Sequence, residues 1–195
     1  TSYDSLIRLA DSTIRQAQTL PAVEAENAQL RALLGLGAAL QWGFVPAEAV
    51  PGRAMGDAHT VVLSVGSRQG ITALSPVIAA SGVVGLIAAV EETTSLAIVW
   101  PHPDLRVSAT SRAGVGFGIV TARPEDGSDA FLLELRGVPF RDSLAVGTEI
   151  VSSGVGGVFP RGIPIGRVVG EVVQGSAWSR TYLVQPAVRP ADLSA

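Results

Sequence analysis

The sequence contains no cysteine and no lysine, has two histidines, and is only 5% aromatic. Without cysteine there are no disulfides and no thiolate metal sites, which suits an oxidising compartment where free thiols are avoided. All fourteen basic residues are arginines, scattered through a chain of net charge −3. That distribution leaves no electrostatic footprint for nucleic acid or for an anionic membrane surface. Long apolar runs are missing too. The eight residues from Val83 to Val90, interrupted by Gly85, fall far short of the roughly 20 that a membrane-spanning helix needs. The chain opens at Thr1 with no methionine and no positively charged leader, so any signal or anchor is expected upstream of it.

What is abundant is glycine, proline and β-branched residues. The stretch from Ser152 to Val168, SSGVGGVFPRGIPIGRV, sets Gly154, Gly156, Gly157, Gly162 and Gly166 with Pro160 and Pro164 among valines and isoleucines. Such spacing describes strands joined by tight turns and bulges, at positions needing positive φ or close backbone approach. Short β-rich runs of this kind recur from Phe44 onward. The expected strands are Phe44–Val50, Thr60–Val65, Pro76–Ala80, Val83–Glu91, Ala97–Trp100, Arg106–Thr110, Gly116–Thr121, Phe131–Leu135, Glu149–Ser152, Gly166–Val173 and Arg180–Pro186. Eleven strands suit two small barrels better than one. A faint repeat at a shift of 72 residues lays Ile78–Gly85 on Ile150–Gly157, consistent with duplication.

The first 34 residues differ in kind: they hold no glycine and one proline, Pro21. A heptad frame puts Leu6, Thr13, Leu20, Asn27 and Leu34 at a, and Leu9, Gln16, Val23 and Leu30 at d. Asn27 at a fixes register in a parallel dimer. Glu26 at g and Arg31 at the following e would pair across it. The seam expected to dimerise is therefore Leu20, Val23, Asn27, Leu30 and Leu34, flanked by Glu26 and Arg31. A single amphipathic helix packed on its own domain is the alternative, since polar residues near the start and Pro21 interrupt the seam. Pro21 either kinks one helix or opens a second, which Gly35 and Gly37 end.

The order of these features resembles the rod shape-determining protein MreC family. The resemblance is carried by ENAQLRALLGL (Glu26–Leu36), the Gly66-Ser67 and Gly70 turn within Val62–Gly70, the run from Pro76 to Ile87, and TEIVSSGVGGVFPRGIPIGRV (Thr148–Val168). It implies a mainly β fold: an N-terminal α-helical coiled-coil stem over 1–36, followed by two small six-stranded-type β-barrels. The first is placed at 45–104 plus about 174–188 and the second at 105–173. It further implies a periplasmic scaffold without cofactors, anchored in the inner membrane by one upstream spanning helix and organising cell-wall elongation. Implied partners are a second copy or a filament of copies, the elongation-class penicillin-binding transpeptidase, MreD and MreB.

Double barrels also occur in serine proteases, where Ser, His and Asp converge from separate strands. His102 lies in Pro-His-Pro-Asp with Asp104 two residues on, and Ser153-Gly154 has the look of a nucleophile turn. An orienting Asp so close to its His needs unusual geometry, and the two flanking X-Pro steps read as a stiff connector between domains. His59 and His102 make no ligand set, while Glu91-Glu92 and Asp126/Asp129 read as solvated turns. Ser-Gly-Val-Gly-Gly lacks the Lys-Ser/Thr of a phosphate loop. The expectation is a non-enzyme, with a trypsin-like hydrolase and a peptidoglycan-binding module as alternatives. Six aromatics form the pool of candidate contacts: Phe117, Phe131, Phe140, Phe159, Trp178 and Tyr182.

Overall fold

The computed structural model describes residues 43–50, 59–123, 131–172 and 178–188. The expected coiled-coil seam, Leu20, Val23, Glu26, Asn27, Leu30, Arg31 and Leu34, lies outside them. The described chain is mainly β, arranged as a four-stranded sheet and a closed six-stranded barrel.

The sheet is built from β1 (Thr60–Leu63), β2 (Pro76–Ala79), β3 (Gly82–Val90) and β4 (Ser95–Val99), in the order β1-β4-β3-β2 with every pair antiparallel. β4 shows the period of two expected of a strand with one buried face: Ser95, Ala97 and Val99 point inward, Leu96 and Ile98 less so. Ala97 and Val99 meet Leu63, Val65, Val84 and Ile87 in one apolar cluster. This sheet stays open among the described residues, where a second barrel was expected. The expected strand Phe44–Val50 contributes one bridge, Ala49 to Leu63, with flanking bonds from Val50 N–H to Val62 O and from Ser64 N–H to Glu48 O. Pro46 cannot donate to a ladder, which limits pairing along this segment.

The barrel comprises β5 (Arg106–Ser111), β6 (Gly118–Ala122), β7 (Leu133–Pro139), β8 (Glu149–Ser152), β9 (Pro164–Val172) and β10 (Ser179–Pro186). They close in the order β10-β7-β6-β5-β8-β9. Six strands enclose only a narrow interior, which is filled by side chains. Val107, Ala109, Val120, Leu133, Leu135, Ile150, Ile165, Tyr182 and Val184 are all buried.

β10 corrects the assignment of the C-terminal strands to the first barrel. It bonds to β7 on one edge and β9 on the other, and without it both would present unpaired edges. Tyr182 and Val184 enter the barrel core, and only beyond the strand does Val188 join the apolar cluster of the sheet. Among the described residues the chain thus closes the barrel and then places Val188 in the apolar cluster of the sheet.

The glycine-rich stretch does what its composition demands. Gly154, Gly156, Gly157 and Gly162 all have positive φ. Gly166 is required for proximity: a Cβ there would stand 2.1 Å from the Gln185 carbonyl oxygen on β10. The duplication is not carried into the topology, because Gly82 starts β3 directly whereas Gly154 opens a long excursion before β9.

Candidate protein-binding surface

Alternation of strand direction brings three connections to one end of the barrel: those between β5 and β6, β7 and β8, and β9 and β10. Each supplies an exposed apolar side chain. Val115 and Phe117 come from the first, Phe140 and Val146 from the second, and Trp178, 87% exposed, stands just before β10.

The loops are tied to one another below these side chains. The Phe140 N–H donates to the Trp178 carbonyl at 3.3 Å, and Gly147 N–H donates to Val168 O at 2.7 Å. The buried Tyr182 hydroxyl accepts from Leu144 N–H at 3.2 Å, anchoring the middle of the β7–β8 loop to β10. Leu144 in turn seals the β5–β6 loop: a Cβ on Gly116, whose φ is 74°, would lie 2.9 Å from Leu144 Cδ2. Arg180 stacks its guanidinium 4.5 Å from the Phe140 ring centroid, bonds to Phe140 O at 3.2 Å, and reaches Glu171 at 3.3 Å.

A second ion pair borders the rim. Arg112 Nε donates to Glu149 Oε2 at 2.6 Å and Nη2 to Oε1 at 2.9 Å, in a forked arrangement. This hydrogen bonding from Arg112 holds the Glu149 carboxyl below its usual range and raises the guanidinium above its own. An apolar centre with aromatic side chains, edged by paired arginines, has the composition of a protein-binding patch.

The six aromatics proposed as contacts divide cleanly. Phe117, Phe140 and Trp178 stand exposed on this rim, whereas Phe159 and Tyr182 are buried and Phe131 is half-buried. Val115 and Val146 join the rim from outside the aromatic pool. Val115 carried a usable signal, since an apolar residue between Gly114 and Gly116, both of positive φ, is held at a loop tip rather than in a strand.

The residues with a protease-like look are used differently. His102 Nδ1 accepts a bond at 3.1 Å from the backbone N–H of Asp104, whose carboxylate lies 4.0 Å away and is 83% exposed. A triad needs the reverse: a buried carboxylate accepting from Nδ1–H. Ser153 Oγ accepts from Val155 N–H at 3.2 Å, capping its own turn. Ser152 Oγ is buried, donating to Pro160 O and accepting from Ile163 N–H, which pins the glycine-rich excursion shut. Among the described residues no cluster of three or more His, Asp or Glu is placed to hold a metal, and no helix is long and apolar enough to cross a membrane.

Comparison with known proteins places this architecture. Residues 53–195 match the family described as rod shape-determining protein MreC, barrel core. The chain is 31% identical over 152 residues to the cell shape-determining protein MreC of Caulobacter vibrioides, covering 76% of this chain and 41% of that protein. It spans less than half the length of the curated relatives it matches. MreC from Listeria monocytogenes superposes with a TM-score of 0.67 at 24% identity, covering 88% of this chain and 86% of that one. In a solved complex between a penicillin-binding protein and MreC from Helicobacter pylori, the superposition has a TM-score of 0.60 at 16% identity, over 76% and 90% of the respective chains. The structural likenesses establish the fold, and since the family match takes in well over half of the sequence, the chain belongs to the rod shape-determining MreC family.

Proposed function

We propose that this chain is the periplasmic, non-enzymatic portion of a scaffold that holds the elongation-class penicillin-binding transpeptidase in the cell-wall elongation machinery and thereby maintains rod shape. The observation that carries the reading is the rim of Val115, Phe117, Phe140, Val146 and Trp178, an exposed apolar surface on a barrel whose own core is already full. The Helicobacter pylori MreC complex with a penicillin-binding protein supports the choice of partner. Rigid aromatics over an ordered loop platform lose little entropy on docking, and a few such anchors dominate an interface.

The rest of the reading extends beyond the described residues. The stem, through Leu20, Val23, Asn27, Leu30 and Leu34 with Glu26 and Arg31, pairs two copies in parallel. An upstream helix anchors them in the inner membrane, and MreD and MreB couple them to the membrane and cytoplasmic parts of the machinery. Two rims per dimer bind a two-dimensional array of enzymes more firmly than one, by raising effective concentration. A binding isotherm of this chain against the soluble domain of the cognate transpeptidase is the test. Saturation at one enzyme per chain supports the reading, and no binding at about 100 μM, a level that ordinary weak interfaces exceed, refutes it.

A further inference from the structure

The turn that leads into β2 has a counterpart in the barrel. Across residues 72–75, Ser75 N–H donates to Thr72 O at 3.2 Å, Leu74 N–H to Ile87 O at 2.9 Å, and Ile87 N–H to Ser75 O at 2.9 Å. Across residues 145–148, the turn into β8, these bonds recur one for one. Thr148 N–H donates to Ala145 O at 3.1 Å, Gly147 N–H to Val168 O at 2.7 Å, and Val168 N–H to Thr148 O at 2.9 Å. The third position of each turn has left-handed backbone, with φ 87° at Gly147 and 66° at Leu74. Glycine takes that conformation freely, whereas a bulky side chain is strained in it. Leu74 is the one non-glycine residue of positive φ among the described residues. Burial does not offset the strain, because the side chain is 60% exposed. The turn is braced instead by hydroxyls: Thr72 N–H donates to Ser75 Oγ at 3.3 Å and the two hydroxyl oxygens lie 3.2 Å apart, a pairing that Ala145 cannot make.

Strain held at a braced position, for a side chain that the fold leaves in solvent, points to a contact outside the chain. We infer that Leu74 is a second apolar anchor for the transpeptidase assigned to the rim, an inference that rests on that assignment. The chemistry of the two turns matches. The barrel turn brings Val146, 72% exposed, into the rim, and the sheet turn brings Leu74 to the surface in the same bonded frame. The β1–β2 connection that carries Leu74 also carries Arg68, whose Nε donates to Glu92 Oε1 at 2.9 Å. That ion pair is exposed, as paired arginines are exposed beside the rim at Arg112–Glu149. A partner surface with apolar clefts and a polar border therefore suits both turns. Sheet and barrel are held in contact where Gly82 abuts the Pro164 carbonyl too closely to admit a Cβ, so both turns belong to one packed body.

The test compares the full chain with its Leu74→Gly, Leu74→Asn and Leu74→Met variants. Thermal melting is measured for each, and surface plasmon resonance gives affinity for the soluble domain of the cognate transpeptidase. Glycine and asparagine accept left-handed backbone, so both variants should melt at or above the parent temperature while binding about fivefold more weakly. Leu74→Met keeps the apolar bulk and should bind like the parent. Lost affinity with unimpaired stability is a result that a purely structural role does not produce. The inference is overturned if the glycine and asparagine variants bind as the parent does, or if they melt well below it. A fall in oligomer mass by sedimentation, with affinity unchanged, also overturns it and makes the turn a contact between copies. No binding by the parent overturns this inference and the choice of partner together. Unchanged binding by Phe140→Ser/Trp178→Ser, with weaker binding by Leu74→Gly, refutes the rim alone and supports the turn.

Discussion

Arg180 covers the ring of Phe140 at 4.5 Å while holding the Phe140 carbonyl through its Nε, so one side chain fixes both the backbone and the aromatic face of a rim residue. A cation over an exposed ring contributes about 0.5–1 kcal/mol. Arg180→Ala should lower unfolding free energy by roughly that amount in denaturant titration, and it should also weaken transpeptidase binding by freeing the Phe140 ring. Arg180→Lys should restore stability only in part, because a lysine cannot hold the carbonyl, the ring and Glu171 at once.

Tyr182 links the barrel core to the same loop. Tyr182→Phe removes the acceptor for Leu144 N–H and leaves a buried donor unpaired, at a cost of about 1–3 kcal/mol. Denaturant midpoints measure the loss. Faster hydrogen exchange at Leu144 would locate it in the β7–β8 loop.

Gly166 separates two roles of glycine. Gly166→Ala forces a methyl against the Gln185 carbonyl across β9 and β10 and should destabilise the chain by about 3 kcal/mol, because ladder backbone cannot yield as a side chain can. Gly156→Ala meets open space and only a left-handed φ of 91°, so its cost should stay near 1 kcal/mol. Equilibrium unfolding of the two variants side by side checks the order.

The forked pair of Arg112 and Glu149 gives stability a pH dependence. Because Arg112 holds the folded-state carboxyl low, the stabilisation is present above the ordinary carboxylate range and disappears as pH falls through the folded value. Glu149→Gln should therefore match the parent most closely at low pH and fall below it as carboxylates ionise. Urea midpoints from acid to neutral pH measure this. Arg112 is exposed and Glu149 only half-buried, so the difference should be small and should shrink in high salt.

The strands were legible because their signals are local. β-branched runs between turn glycines located β1 to β10, and the positive φ values at Gly154, Gly156, Gly157 and Gly162 are those the composition asks for. Pairing was not legible, because it is decided by long-range closure. Nothing within Arg180–Pro186 says that its edges meet β7 and β9 rather than the sheet, and Val188 shows how nearly the same segment serves both. The rim was half legible. Phe117, Phe140 and Trp178 were nominated alongside Phe159 and Tyr182, which have the same chemistry but fall on inward positions. Inward and outward positions at loop ends depend on which loops share an end of the barrel, and that follows only from strand order.

The most direct test is the affinity of the Phe140→Ser/Trp178→Ser double variant for the soluble domain of the cognate transpeptidase, measured by surface plasmon resonance beside the parent chain. Both side chains are exposed, so the variant should stay folded, losing only about the 0.5–1 kcal/mol of the Arg180 stack on Phe140, while its affinity should fall by more than about tenfold, as expected when central aromatic anchors are removed. Unchanged affinity with an intact fold would contradict the assignment of the rim as the partner-binding surface.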